Sequence, residues 1–244
     1  MCTPKRASSP AVRSRGVGPA VALALTLALA LPAAIGVSAQ TNKLMDPSRV
    51  TETAPDVFRA RFDTSKGPFV IEVHREWAPI GADRFYNLVK NGFYDGTRFF
   101  RVRPGFMAQF GLNGNPQVQG AWQRAFLRDE PTTQKNVRGF VTFTTEGRPQ
   151  SRFTQIFVNY GDNSRLDADG FAPFGQVVTG MDVVDKLYAP PDDAQPDQRR
   201  ILREGNEYLQ KEFPQLDFVK KASLVPATPA TPATPATPAR RRPS

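Results

Sequence analysis

The sequence predicts a mainly β fold of short antiparallel strands with few helices. Apolar and polar residues alternate over eight short runs, turn-forming residues separate several of them, and helical periodicity appears in only three places. Strand patterning alone leaves a β-sandwich and a closed barrel equally open.

The elements follow in order. Residues 57–64 (VFRARFDT) alternate, and so do residues 68–74 after the Lys66-Gly67 turn, which predicts a hairpin. Pro79 then suits a helix start. Phe85, Leu88 and Val89 fall on one helical face, and Asn91-Gly92 ends the helix. Strands are expected at 98–102, 106–110, 139–144, 154–158 and 173–178, with a turn at Pro104-Gly105. Residues 113–131, rich in Gly, Asn, Gln and Pro, are expected as a long surface loop. A short helix is expected at 182–187, after Gly180. Residues 190–193 form a loop, and 197–213 have helical period, with Ile201, Leu202, Tyr208 and Leu209 as the buried stripe. Gly205 inside that helix costs about 1 kcal/mol relative to Ala. A final strand is expected at 216–225.

The ends of the chain differ from its body. Residues 1–15 are basic and free of acids, residues 17–37 are apolar, and the small-x-small sequence Val37-Ser38-Ala39 follows. That order predicts a secretory signal peptide over 1–39 and export to the periplasm or outside the cell. The alternative is an inner-membrane anchor formed by residues 17–37, which are about long enough to span a bilayer. Residues 40–56 are expected to be a linker to a domain at 57–225, in which 190–214 are an added loop and helix. Residues 226–244 repeat Ala-Thr-Pro and end in Arg240-Arg241-Arg242, which predicts an extended spacer with weak contact to anionic envelope polymer or lipid. The formal charge is +9, but four basic residues lie in the presequence and three in the tail, leaving +2 between them. A nearly balanced body carries no electrostatic footprint for nucleic acid. The only cysteine, Cys2, precedes the apolar run, so an exported domain would need no disulfide.

The stretch Phe99 to Gly111 (FFRVRPGFMAQFG) carries the chemistry. It sets one arginine, Arg101, on a strand, followed after a turn by Phe106, Met107 and Gln109 on the next. An apolar pocket edged by a fixed cation and an amide suits a proline ring beside its own amide nitrogen. Taken singly, Phe106, Met107 and Phe157 read as core, and Arg101 reads as a solvated strand residue. What changes that reading is a family resemblance, carried jointly by this stretch and three other segments. The three are the helix end NLVKNGFYDG, the run GFVTFTTEGRPQSRFTQIFV at 139–158, and LDADGFAPFGQVVTGMDVV at 166–184.

Together these four segments resemble the cyclophilins, the peptidyl-prolyl cis-trans isomerases. The resemblance implies a closed eight-stranded antiparallel barrel capped by two α-helices, here with an extra C-terminal helix. It implies a cofactor-free, metal-free, monomeric enzyme acting on proline-containing polypeptides. Arg101 matches the family's catalytic arginine. Phe106, Met107 and Phe157 match the walls of its proline pocket, Gln109 and Gln155 its glutamines, and Leu166 an apolar residue at its rim, while Phe171 is expected to touch substrate there as well. Thr145 and Glu146 lie where its substrate-binding backbone runs. The chain also departs from the family. Arg165 stands where an aromatic residue is usual, the one on which tight binding of cyclosporin-type inhibitors depends. Phe171 replaces an expected histidine, and Thr145-Glu146 replaces part of the usual Met-Ala-Asn. The alternative reading is a non-catalytic module of the same fold that binds proline peptides or acts as a chaperone.

Other chemistries lack their residues. His74 is the only histidine. The run Asp167-Ala168-Asp169-Gly170 would need acids at 165 and 176 to be a calcium loop, and these positions hold Arg165 and Gln176.

Overall fold

A computed structural model describes residues 43–226. The expected presequence and tail lie outside the described residues. Eight strands form one antiparallel sheet: β1 (Val57–Thr64), β2 (Gly67–His74), β3 (Arg101–Arg103), β4 (Met107–Phe110), β5 (Phe140–Phe143), β6 (Ile156–Asn159), β7 (Pro173–Thr179) and β8 (Val219–Val225). Their order is β3-β4-β6-β5-β7-β2-β1-β8. The edge strands do not share a ladder. The two ends of the sheet meet just outside them, through an Arg98–Phe218 bridge flanked by Phe99 N–H to the Asp217 carbonyl and Val219 N–H to the Thr97 carbonyl, both 2.9 Å. The strand expected at 98–102 is therefore split between this bridge and β3.

Strand alternation builds the interior. Phe58, Ala60 and Phe62 of β1 and Phe69, Ile71 and Val73 of β2 all point inward and are buried. Phe62 stacks on Phe69 at 5.1 Å and meets Phe110 edge-on at 5.7 Å. Helix α1 (Pro79–Lys90) lays Phe85, Leu88 and Val89 on this core, the face its spacing predicts. Ala78, at its N-cap, has no side chain to satisfy the first N–H groups. Glu130 does so instead, accepting from Ile80 and Gly81, and its carboxylate meets Arg152 at 3.0 Å. Acid and base are both buried.

Two expectations change outside the sheet. The 113–131 segment is not wholly a surface loop. It contains α2 (Pro116–Trp122), started by Pro116 at its first turn and capped by the Asn115 side chain. Trp122 is buried and donates to the Leu44 carbonyl at 2.7 Å. The expected linker is likewise docked from residue 44 onward: Ala54 N–H donates to Asp83, and Glu52 exchanges bonds with Asn87. A short helix, α3 (Met181–Val184), follows Gly180.

The added helix, α4 (Gln198–Glu212), is two helices joined at a kink. Gly205 has φ 60° and ψ −140°, so it breaks the helix where it was expected merely to weaken it. A Cβ there would come within 2.2 Å of the Gly114 carbonyl oxygen. Asn206, next in line, donates its N–H to that same carbonyl and its side-chain amide to the Gly96 carbonyl, each at 2.9 Å. A second core made by Phe100, Leu112, Phe153, Ile201, Tyr208, Leu209 and Leu216 fastens α4 to the segments just before β3 and just after β4.

Candidate functional site

Strands β3, β4 and β6 are used on both faces. Val102, Ala108, Phe110, Ile156 and Val158 turn into the main core. Their alternating neighbours turn the other way. Arg101 lies opposite Gln109, and Gln109 opposite Phe157, so the ladder places these three on one outward face. Met107, two residues before Gln109, joins them. This is why all four residues of β4 and all four of β6 are buried.

The outward face floors a pocket of about 370 Å³. Met107 and Phe157 are almost fully buried within it. Phe106 sits at the β3–β4 turn, its carbonyl held by Tyr160 N–H at 2.9 Å and by the Asn163 amide at 2.8 Å. Arg101 donates to Gln109 Oε1 at 3.2 Å, and Gln109 Nε2 donates to Gln155 Oε1 at 2.8 Å. This chain orients the guanidinium without neutralising it, because amides rather than carboxylates hold it. Burial lowers the Arg101 pKa from its ordinary value. Neighbouring Arg103 lowers it further and Asp192 opposes the change, yet an arginine stays charged at neutral pH.

All ten residues predicted for the site line this one pocket. Thr145 and Glu146 follow β5 along one side, with Glu146 N–H bonded to Ser151 Oγ at 2.8 Å. Leu166 ends a 3-10 turn (Ser164–Leu166), and Phe171 lies edge-on to Phe157 at 5.9 Å. Asn136 ties down that loop by donating to Asp167 and to the Phe171 carbonyl, both at 2.8 Å. Arg165 lies 4.9 Å over the Phe106 ring, and Arg101 lies 5.9 Å from the same ring.

Sequence reading missed five lining residues. Thr144 lies across from Gln155, its N–H donating to the Gln155 carbonyl at 2.9 Å, and Phe153 stands two residues before Gln155 in the same segment. Gln198, Arg199 and Leu202 come from α4. Leu202 was expected in the helix's buried stripe but is only half-buried, because it faces the pocket. No local signal distinguishes a helical leucine facing a pocket from one facing a core. Among the described residues, no three His, Cys, Asp or Glu side chains are grouped as a metal site.

The family model described as "Cyclophilin type peptidyl-prolyl cis-trans isomerase/CLD" matches residues 59–205. A peptidyl-prolyl cis-trans isomerase of Acinetobacter baylyi is 38% identical over 132 residues, covering 52% of this chain and 70% of the relative. Peptidyl-prolyl cis-trans isomerase A of Dickeya dadantii is 35% identical, over 51% of this chain and 67% of its own. A solved cyclophilin-type isomerase of Cryptosporidium parvum superposes with a TM-score of 0.54 at 18% identity, over 70% of this chain and 99% of its own. A second structure of that protein, in the presence of the dipeptide Ala-Pro, gives 0.52 at 18% identity, over 69% and 99%. The solved structures speak to the fold, and the family match covers more than half of the chain. The chain belongs to the cyclophilin-type peptidyl-prolyl cis-trans isomerase family.

Proposed function

We propose that this isomerase accelerates rotation of X-Pro bonds by using Arg101 to bind the twisted amide. The observation that carries the reading is the Arg101–Gln109–Gln155 chain beside an apolar pocket. Rotation must break amide resonance, at a barrier of about 18–20 kcal/mol. In the twisted state the prolyl nitrogen becomes pyramidal and recovers its lone pair. A guanidinium aimed at that lone pair binds the twisted state more tightly than the planar one, which lowers the barrier. Phe106, Met107 and Phe157 hold the ring while the acyl side turns. Leu166 and Phe171 close the rim, and Gln109 with Gln155 fixes the cation. Thr145 and Glu146 supply backbone for the rest of the peptide. No bond is made or broken, so the reaction calls for no nucleophile or proton transfer.

The uncatalysed reaction takes tens to hundreds of seconds, slow enough to limit folding. The presequence supports clients among envelope or secreted proteins, with the enzyme acting as a monomer in the same compartment. The arginine-tipped tail supports a weak envelope contact. Equal sedimentation with isolated envelopes, with and without residues 226–244, would remove that contact. Exchange spectroscopy on a short X-Pro peptide tests the activity itself. Acceleration of interconversion is expected, and none from the folded protein would overturn the reading.

A further inference from the structure

The mouth of the pocket carries more positive charge than negative, and the added helix supplies part of the excess. Three charged side chains line the pocket: Arg101, Glu146 and Arg199. Glu146 is taken up by Arg148 at 2.9 Å. Arg101 is held by an amide. Arg199 stands at the start of α4 with its side chain 85% exposed. The carboxylate nearest it is that of Asp197, at 3.7 Å, and this group is already engaged as the helix cap, accepting the Arg199 backbone N–H at 2.8 Å. A further guanidinium, Arg165, lies over Phe106. Its one polar partner among the described residues is Asn163 Oδ1, at 3.4 Å. The other nearby cation, Arg103, is closed off by Asp192 at 3.1 Å. The adjoining depression, which shares Thr145 and Phe171 with the pocket, is different. There Asp129 and Asp169 accompany Arg148. The unbalanced positive charge at the pocket comes from Arg199 on α4 and from Arg165 on the 164–166 turn.

We propose that α4 makes this isomerase charge-selective. Arg199, with Arg165, favours prolyl peptides that carry a carboxylate within a residue or two of the proline. The inference rests on the isomerase reading of the pocket and adds a substrate class to it. A carboxylate arriving there meets an exposed guanidinium that can turn from Asp197 toward it. The attraction is of surface strength, so the expected preference is about two- to five-fold, and it weakens as salt rises.

The test compares X-Pro peptides that differ only by Glu against Gln, placed before the proline in one pair and after it in another. The readout is the ratio of kcat/KM for Glu over Gln. For the unmodified protein the ratio should exceed one by about two- to five-fold in at least one pair. It should fall toward one in Arg199→Ala, drop below one in Arg199→Glu, and shrink in Arg165→Ala, whatever these changes do to absolute rates. Melting curves check that the exposed substitutions leave the fold intact. A ratio of one or less in both pairs overturns the proposal, and so does a ratio unmoved in Arg199→Glu. Were no peptide turned over, the isomerase reading would fall, and the same ratio read in peptide affinity would still decide the charge preference.

Discussion

The floor of the pocket is made by three neighbouring strands, whereas its mouth is made by the segments between strands and by an added helix. Floor residues Arg101, Met107, Gln109 and Phe157 sit at fixed rungs of the β3–β4–β6 ladder. Their backbone positions follow from the register, and register is set because the opposite face of the same strands is core. Mouth residues Arg165, Phe171 and Arg199 are held by single turns, side-chain ties and one glycine kink. The chain departs from the usual cyclophilin pattern at the mouth and keeps it at the floor. On the proposed reading, chemistry that requires fixed geometry sits where the sheet fixes it, and selectivity sits where substitution disturbs least.

Substitutions can break or sharpen this contrast. The largest effect is expected from Phe157→Ala. It removes a large side chain that is almost fully buried although it lines the pocket, and should lower stability by about 3–5 kcal/mol, measured by denaturant titration. A loss below 1 kcal/mol would mean that the floor is not part of the packed interior. Next is Gly205→Ala, which adds a Cβ against the Gly114 carbonyl at a positive φ. It should cost about 1–3 kcal/mol. Hydrogen exchange should show the loosening in α4 and in the 113–122 segment, while β4 and β6 keep their protection.

Two smaller effects separate orientation from fit. Gln109→Leu removes the amide between Arg101 and Gln155 and leaves both partners without it. It should lower kcat/KM by about ten-fold, the equivalent of about 1.4 kcal/mol, mainly through kcat. Phe171→Ala removes one edge-to-face contact with Phe157. It should raise KM by about two- to thirteen-fold with kcat kept, matching the roughly 0.5–1.5 kcal/mol of such a pair. A kcat loss in Phe171→Ala equal to that in Gln109→Leu would erase the distinction between floor and mouth.

The sequence and the structure agree where causes are local. Period-2 alternation in 57–64 and 68–74 is enough to locate β1 and β2, because one face of each is buried and the other is not. The floor was legible through the resemblance of four segments to the cyclophilins, since taken singly Phe106, Met107 and Phe157 read as core and Arg101 as a solvated strand residue. Other features depend on partners far along the chain. Nothing near Ala78 says that α1 is capped by Glu130, 50 residues beyond Ile80. Nothing near Gly205 says that the Gly114 carbonyl occupies the space a side chain would need. Helix α2 had its local signals, Asn115 and Pro116, but only Val118 and Trp122 as buried apolar positions in two turns, too few to stand out from a loop. The pocket-facing residues of α4 were hidden for the same reason as Glu130, since the second core that orients the helix draws on Phe100, Leu112 and Phe153 from outside it.

The most direct test of the account is the turnover of Arg101→Ala on a short X-Pro peptide, with kcat and KM measured separately. On the proposed mechanism Arg101 binds the twisted state and little of the planar one, so kcat/KM should fall by about 10²–10³-fold. The loss should lie in kcat, with KM nearly unchanged and the fold intact by circular dichroism. A folded variant that retains the kcat of the unmodified protein would contradict the claim that this guanidinium stabilises the rotating bond.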